Sequence, residues 1–373
     1  MEKQLPIESV LPALKQALAS GSNAVLTAAP GAGKTTRVPL ALMDEPWLGG
    51  RKIVMLEPRR LAARSAARFM AAQLGETAGE TVGYRVRMDT KIGPKTRIEV
   101  VTEGVLTRML QADPGLTEFG LVIFDEFHER SLQADLGLAL CLQSQELLRD
   151  DLRILVMSAT MEAEPVARLL GDAPVICSEG RMFPVETLYR PVRRTGVSID
   201  EALVPVAEEA LSDQPGDVLV FLPGMAEIRA AQRRLMEKFG SKPGTEKIRI
   251  HALHGSLAAE EQDRALAPSK EGERKIVLAT SVAETSLTVE GITAVIDSGL
   301  ARISRFSPRT GMSRLETVRV SAASADQRKG RAGRLAPGRC YRMWSEEEQR
   351  QLAPALPPEI REAGLAPRVL ELA

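Results

Sequence analysis

Four short segments of this chain carry residue types suited to phosphoryl transfer. In order they are Pro30-Gly31-Ala32-Gly33-Lys34-Thr35-Thr36, then Asp125-Glu126-Phe127-His128, then Ser158-Ala159-Thr160, and finally Gln327-Arg328-Lys329-Gly330-Arg331-Ala332-Gly333-Arg334. In the first, Gly31 and Gly33 let backbone amides approach phosphates, Lys34 reaches the outer phosphates, and the Thr35 hydroxyl ligates magnesium with Thr36 beside it. The usual pattern GxxxxGK[ST] begins with glycine where this chain has Ala28, yet the turn follows a strand-like run and opens a helix, which is the context the chemistry needs. Asp125 and Glu126 directly follow Leu121-Val122-Ile123-Phe124, at the carboxyl end of a buried strand, where α/β sheets bind ligands. Asp125 suits the metal's surroundings, and Glu126 suits polarisation of the attacking water.

The basic segment near residue 330 lies far from the phosphate turn. Arg331 and Arg334, one helical turn apart, fit charge-stabilising fingers, and Gln327 fits a holder of the lytic water or terminal phosphate. Each segment also has a bland reading: a chance glycine turn, a surface acidic pair, arginines on a solvated loop. Their co-occurrence favours the chemical one. Placing the arginines in the other half of the chain implies a site between two lobes. His251 and His254, three residues apart without a Cys or carboxylate partner, read as structural rather than as zinc ligands. His128 is expected to hydrogen-bond across the cleft and report nucleotide state.

The elements that must position these groups are legible as apolar runs. Ala24-Val25-Leu26, Ile53-Val54-Met55-Leu56, Ile98-Glu99-Val100-Val101, Leu121-Val122-Ile123-Phe124 and Ile154-Leu155-Val156-Met157 read as buried parallel strands, with crossover helices over 60–74 and 131–148. The series restarts after Gly180-Arg181-Met182-Phe183-Pro184, with strands at 218–222, 248–250, 276–279 and 294–297. Within the second half, 301–320 reads as a projecting β-hairpin turning at Arg305-Phe306-Ser307-Pro308-Arg309-Thr310-Gly311. The expectation is two α/β domains with parallel sheets, 1–182 and 183–344. The proline-punctuated stretch 345–373 reads as the opening of a further domain.

Composition excludes several other classes. The 373 residues suffice for two ordinary cores, and 49 basic against 49 acidic residues leave a nucleic-acid partner to be held by a local groove. The three cysteines, Cys141, Cys177 and Cys340, lack metal-site or disulfide spacing, which suits a reducing cytoplasm. No apolar run approaches the roughly 20 residues needed to span a bilayer. Aromatics at 3% argue against a platform of stacked rings.

The motifs together resemble those of superfamily 2 helicases of the DEAH-box group, with Asp125-Glu126-Phe127-His128 in place of the alanine-containing box; the likeness is greatest to the bacterial HrpB type. It extends over nearly the whole chain and includes Glu57-Pro58-Arg59-Arg60, Val82-Gly83-Tyr84-Arg85, Thr102-Glu103-Gly104, Phe221-Leu222-Pro223-Gly224 and Ala279-Thr280-Ser281 through Thr288. The resemblance implies two tandem RecA-like domains, the β-hairpin in the second, and a C-terminal helical or winged-helix domain of which only the start is present. It further implies ATP and Mg2+ at the domain interface and single-stranded RNA along Arg59, Arg60, Arg85, Thr102, Glu103, Gly224 and Thr280. Ser158 and Thr160 would couple hydrolysis to movement, and Ser286 and Thr288 would join nucleotide to strand. Relatives sandwich the adenine between an arginine and an aromatic ring. Here Leu266 aligns with the ring, and its partner is Arg68 or Phe69, so other nucleoside triphosphates are expected to be accepted.

The expected activity is therefore an ATP-dependent, monomeric RNA helicase or translocase, without a membrane partner. A DNA-directed motor and a nucleotide-gated clamp with little turnover stand as alternatives. Backbone-gripping contacts leave the sugar undecided, whereas Lys34, Glu126, Arg331 and Arg334 together argue against the clamp.

Overall fold

A computed structural model describes residues 5–159, 163–180, 183–192, 196–240, 247–285, 287 and 289–365. Thr160, Met182, Ser286, Thr288 and everything from 366 onward lie outside the described residues. The chain divides into two compact units, Met1–Arg181 with Pro358–Ile360, and Met182–Pro357 with Arg361–Ala373.

In the first unit the strands are β1 (Asn23–Ala28), β2 (Lys52–Glu57), β3 (Val82–Val86), β4 (Asp89–Lys91), β5 (Ile98–Thr102), β6 (Phe119–Phe124), β7 (Arg153–Ser158) and β8 (Val175–Ser178). They form one sheet in the order β4-β3-β5-β2-β6-β7-β1-β8, parallel throughout except for β3 against β4. Alternate side chains enter opposite cores, as the two-residue strand period demands. Leu26, Met55, Ile123 and Leu155 meet the helices Leu11–Ser20, Lys34–Leu42 and Arg60–Gln73 on one face. Val25, Leu56, Phe124 and Val156 meet Glu103–Ala112 and Leu132–Leu147 on the other. With both faces covered, the central strands are apolar without alternation, and each fully buried aliphatic side chain contributes about 1.5–3 kcal/mol.

The short strand β3 escapes the apolar-run criterion because Gly83 and Arg85 interrupt it. Gly83 answers to packing: a Cβ there would collide with the Lys91 carbonyl. Arg85 donates to Glu99 Oε2 at 2.7 Å.

The second unit contains β9 (Val185–Tyr189), β10 (Asp217–Phe221), β11 (Lys247–Leu253), β12 (Glu273–Ala279), β13 (Ile292–Asp297), β14 (Leu300–Ser307), β15 (Met312–Arg319) and β16 (Gly338–Arg342). Six of these make a parallel sheet ordered β11-β12-β10-β13-β16-β9. Strand β11, expected to be buried, is the sheet's edge, and Lys247 and Arg249 stand exposed with Glu273 as ion partner. Charged residues on an edge also discourage pairing with a foreign strand. The hairpin β14–β15 runs in register from Leu300↔Arg319 to Ser307↔Met312, and β15 is exposed along nearly its whole length. Its turn closes through the Thr310 and Gly311 amides onto the Ser307 carbonyl, with Gly311 at φ 65°.

Both units are thus mixed α/β bodies on parallel sheets. In the first, strand order places the carboxyl ends of β2, β6, β7 and β1 side by side. Those four ends carry Glu57, Asp125, Ser158 and the phosphate turn.

Candidate active site

The turn after β1 is shaped by two left-handed glycines, Gly31 at φ 84° and Gly33 at φ 94°, conformations that a residue with a Cβ adopts only under strain. Gly33 caps the helix Lys34–Leu42, and its carbonyl accepts from the amides of Thr36 (3.3 Å) and Arg37 (2.9 Å). This combination of glycine turn and helix N-terminus presents amides and partial positive charge to an anion.

Lys34 and Thr35 on that helix meet the carboxylates at the end of β6. Lys34 Nζ donates to Glu126 Oε1 at 2.7 Å and stands 3.8 Å from Asp125 Oδ1. Thr35 Oγ1 donates to Asp125 Oδ2 at 2.5 Å. Burial penalises the Lys34 ammonium, but Glu126 and Asp125 outweigh that penalty and hold its pKa above the ordinary lysine value. Burial is also the main reason why the Asp125 carboxyl lies above its usual range, with Lys34 opposing the shift.

Glu126 itself adopts φ 51°, unusual for a non-glycine residue, and its amide is anchored on Asp125 Oδ1 at 2.8 Å. That backbone twist directs the chain into the short turn Phe127–Glu129. His128 Nδ1 accepts from the Ala159 amide at 3.2 Å, which leaves the ring proton on Nε2, 3.5 Å from Glu126 Oε2. Both of these neighbours belong to the first unit. The histidine connects the carboxylate turn to the end of β7, where Ser158 is buried. Thr160, its expected companion, lies outside the described residues.

Glu57 belongs to the site as well, although its motif assigns it no role there. It ends β2 beside Asp125, fully buried, and burial followed by the charges of Asp125 and Glu126 raises its pKa well above the usual carboxylate value. A charged residue ending an apolar strand run was the available signal. Three carboxyls against one lysine leave the pocket with a surplus of acid, and the adjacent Thr35 hydroxyl and Asp125 carboxylate are hard oxygen donors. Among the described residues no group of three or more His, Cys, Asp or Glu could hold a metal. A magnesium ion that takes one or two protein oxygens and completes its shell with water and phosphate suits this donor set; a dedicated metal cage does not.

Of the residues expected along the nucleic-acid track, Arg59, Arg85 and Glu103 are engaged with neighbouring side chains. Arg59 donates to Glu129 Oε1 at 2.8 Å, while Arg60 starts its helix exposed. Arg85 supports the fully buried Glu99, which Lys52 also approaches at 3.1 Å. Thr102 ends β5, half-buried, and Glu103 Oε1 accepts from Ser131 Oγ at 2.5 Å. In the second unit Gly224 is packed so closely that an added Cβ would lie 2.5 Å from the Arg302 guanidinium, and Thr280 follows β12.

Burial, reinforced by Glu129 and Glu359 and opposed by Ser131 and Arg59, pushes Glu103 from 4.5 to about 7. Because the folded-state value is the higher one, ionising this carboxyl costs stability; the cost develops as pH rises from 4.5 and is complete above 7. Glu103→Gln, which keeps an acceptor for Ser131, is therefore expected to stabilise the protein at pH 8, by at most roughly 3 kcal/mol, and to leave it nearly unchanged at pH 4.5. Urea denaturation at the two pH values measures this. An equal effect at both would mean that the change acts through packing.

The segment at 327–334 separates into three kinds of arginine. Arg328 is a buried keystone: it binds Asp297 Oδ1 at 2.8 Å and Glu284 Oε2 at 3.1 Å, and lies 4.9 Å over the Phe221 ring. Arg331, also buried, donates to the carbonyls of Glu284 (2.8 Å), Thr285 and Leu287. Arg334 is half-buried and reaches the Leu287 carbonyl at 3.4 Å. Gln327 is half-buried on the helix Ala322–Gly330. Ser286 and Thr288 lie outside the described residues.

The two-body α/β fold and this motif set identify the chain as a member of the DEAD/DEAH box helicases. The family profile described as DEAD/DEAH box helicase matches residues 9–169, and that of the helicase conserved C-terminal domain matches 201–336. Among individual proteins, the chain is 49% identical over 368 residues to the ATP-dependent RNA helicase HrpB of Escherichia coli (strain K12), covering 99% of this chain and 45% of that protein. It is 37% identical over 373 residues to the pre-mRNA-splicing factor ATP-dependent RNA helicase prp22 of Schizosaccharomyces pombe (strain 972 / ATCC 24843), covering 99% of this chain and 32% of prp22. The crystal structure of the Escherichia coli DEAH/RHA helicase HrpB superposes with a TM-score of 0.92 at 48% identity, over 99% of this chain and 46% of that one. The chain thus spans less than half the length of these relatives. Its two sheets are the RecA-like domains of the family. Among the described residues no helix is long and apolar enough to cross a membrane.

Proposed function

We propose that this chain is the motor portion of an ATP-dependent RNA helicase, hydrolysing nucleoside triphosphate to move along a single strand. The observation carrying this reading is the buried pairing of Lys34 with Glu126 and Thr35 with Asp125, which joins a phosphate-binding turn to a candidate general base. The amides after Gly31 and Gly33 hold the phosphates, and Lys34 exchanges its bond to Glu126 for the incoming phosphate oxygens. Glu126, released from that ion pair, takes the proton of the attacking water. Thr35 and Asp125 would hold magnesium, whose role when bound is to neutralise phosphate charge. His128 and Ser158 transmit the state of this turn, and Gln327 and Arg334 complete the charge stabilisation from the second RecA-like domain. Arg59, Arg60, Thr102, Gly224 and Thr280 grip the sugar-phosphate backbone, which explains affinity without base reading.

Steady-state hydrolysis without polymer, with single-stranded RNA and with single-stranded DNA tests the reading, with Glu126→Gln as blank. Selective stimulation by RNA is expected. Equal stimulation by DNA would make the chain a strand-indifferent motor, and no hydrolysis in any condition would leave a nucleotide-gated clamp. Leu266, half-buried, stands where relatives set an aromatic ring against the adenine, and Phe69, one of its two candidate partners, is 54% exposed. GTP, CTP and UTP are accordingly expected to be turned over within about tenfold of ATP, the span a few apolar contacts can discriminate.

A further inference from the structure

The tripeptide Pro358–Ile360 packs as part of the first unit, although the residues before and after it belong to the second. Its contacts converge on the loop that leaves the catalytic turn. The Glu359 amide donates to the Arg130 carbonyl at 3.1 Å, and its Oε2 accepts from the Leu132 amide at 2.9 Å, 227 positions away in sequence. Leu132 opens the 16-residue helix Leu132–Leu147, so the carboxylate meets the helix's first amide and the positive end of a helix dipole. Arg130, held at φ 49°, lies 5.6 Å over the Phe127 ring and pairs with Asp135 at 3.0 Å. Neither its backbone nor its side chain is spare.

The charge around this contact is unfavourable for an RNA track. Glu129 neutralises Arg59 at 2.8 Å. Glu103 lies close enough to both Glu129 and Glu359 for their charges to reinforce its raised pKa. Three carboxylates therefore gather where Arg59, Thr102 and Glu103 are read to meet phosphates, and Glu359 is the one brought in from a distant part of the chain. A carboxylate on a helix's first amide uses the donor and the field that a phosphate oxygen would use.

We infer that Pro358–Ile360 is an autoinhibitory strap, with Glu359 clipped onto the Arg130–Leu132 loop so that the phosphate backbone of a single strand must displace it before seating against Arg59. This inference rests on the RNA-motor reading above. The strap is built to leave: Glu359 is exposed, makes two neutral-donor hydrogen bonds and carries the charge that repels the incoming strand. It raises the threshold for strand binding while leaving the nucleotide site alone.

The test is equilibrium binding of a fluorescein-labelled single-stranded oligouridylate to the wild type, Glu359→Gln and Glu359→Ala, followed by fluorescence anisotropy. Glu359→Ala is expected to tighten binding by about three- to fivefold, the worth of one carboxylate at a helix N-terminus, with Glu359→Gln in between. The RNA concentration for half-maximal ATPase stimulation should fall by the same factor, and RNA-free hydrolysis should not change. Hydrogen exchange should report a faster Leu132 amide in Glu359→Ala without RNA. Unchanged or weaker binding by the variants, with the wild type binding normally, would overturn the strap and make Glu359 a positioning residue for the loop. No binding by any of the three would instead overturn the RNA reading and the strap with it.

Discussion

Glu126→Gln is expected to bind nucleotide at least as tightly as the wild type and to hydrolyse it about 10²–10⁴-fold more slowly, the usual worth of a positioned general base. The two halves of this expectation come from the same bond. Glutamine still offers Lys34 an oxygen in place of Glu126 Oε1, so the helix and turn keep their places. It lacks the charge that holds Lys34 in the resting pair, and Lys34 is then freer to meet phosphate. What glutamine cannot do is accept a proton from water. Lys34→Ala gives the opposite pattern: it removes the ammonium that faces phosphate, leaves Asp125, Glu126 and Glu57 without their cation, and should weaken nucleotide binding itself. Fluorescent-nucleotide titration and single-turnover hydrolysis separate the cases. Near-normal hydrolysis by Glu126→Gln would remove Glu126 from the role of base and direct attention to Glu57, the other carboxyl beside Asp125.

The distinction between legible and illegible parts of this protein follows burial and charge. Strands covered on both faces announce themselves as unbroken apolar runs, which is why β1, β2, β6 and β7 stand out in the sequence, and with them the carboxyl edge where the phosphate turn and Asp125 sit. β3 does not, because Gly83 and Arg85 serve neighbours rather than a core: one makes room for the Lys91 carbonyl, the other supports Glu99. β9 and β16 are similarly short and partly polar. Charged residues are misread in the other direction. Periodicity assigns them to solvent, yet Glu57, Glu99, Arg328 and Arg331 are all buried, the last three against partners supplied by other elements. The Glu359 contact is the extreme case, since no local pattern links residues 132 and 359. Even among motif residues, position in the pattern does not separate the tasks of Arg328, Arg331 and Arg334; hydrogen bonding does.

That separation leads to the second large effect. Arg334→Ala is expected to fold normally, to bind nucleotide nearly as the wild type does, and to lose turnover by about a thousandfold, the lower end of the range for a charge-stabilising finger. Arg331→Ala is expected to behave differently. Its guanidinium donates to the carbonyls of Glu284, Thr285 and Leu287 from a buried position, so truncation removes a buried donor from all three, although Arg334 still reaches Leu287, and opens a cavity. Each buried acceptor left without a donor costs about 1–3 kcal/mol, and Glu284, Thr285 and Leu287 lose their shared anchor. Thermal melting should therefore report Arg331→Ala before any kinetic assay does, whereas Arg334→Ala should melt with the wild type. Turnover measured at saturating ATP, alongside nucleotide affinity and the melting curve, assigns the finger. An Arg334→Ala variant with turnover within about threefold of wild type would exclude it, because a finger worth 10³ or more cannot be lost so cheaply. If Arg331→Ala then kept its melting temperature while losing turnover, the buried arginine would have to leave its carbonyls during catalysis, and the finger would be Arg331.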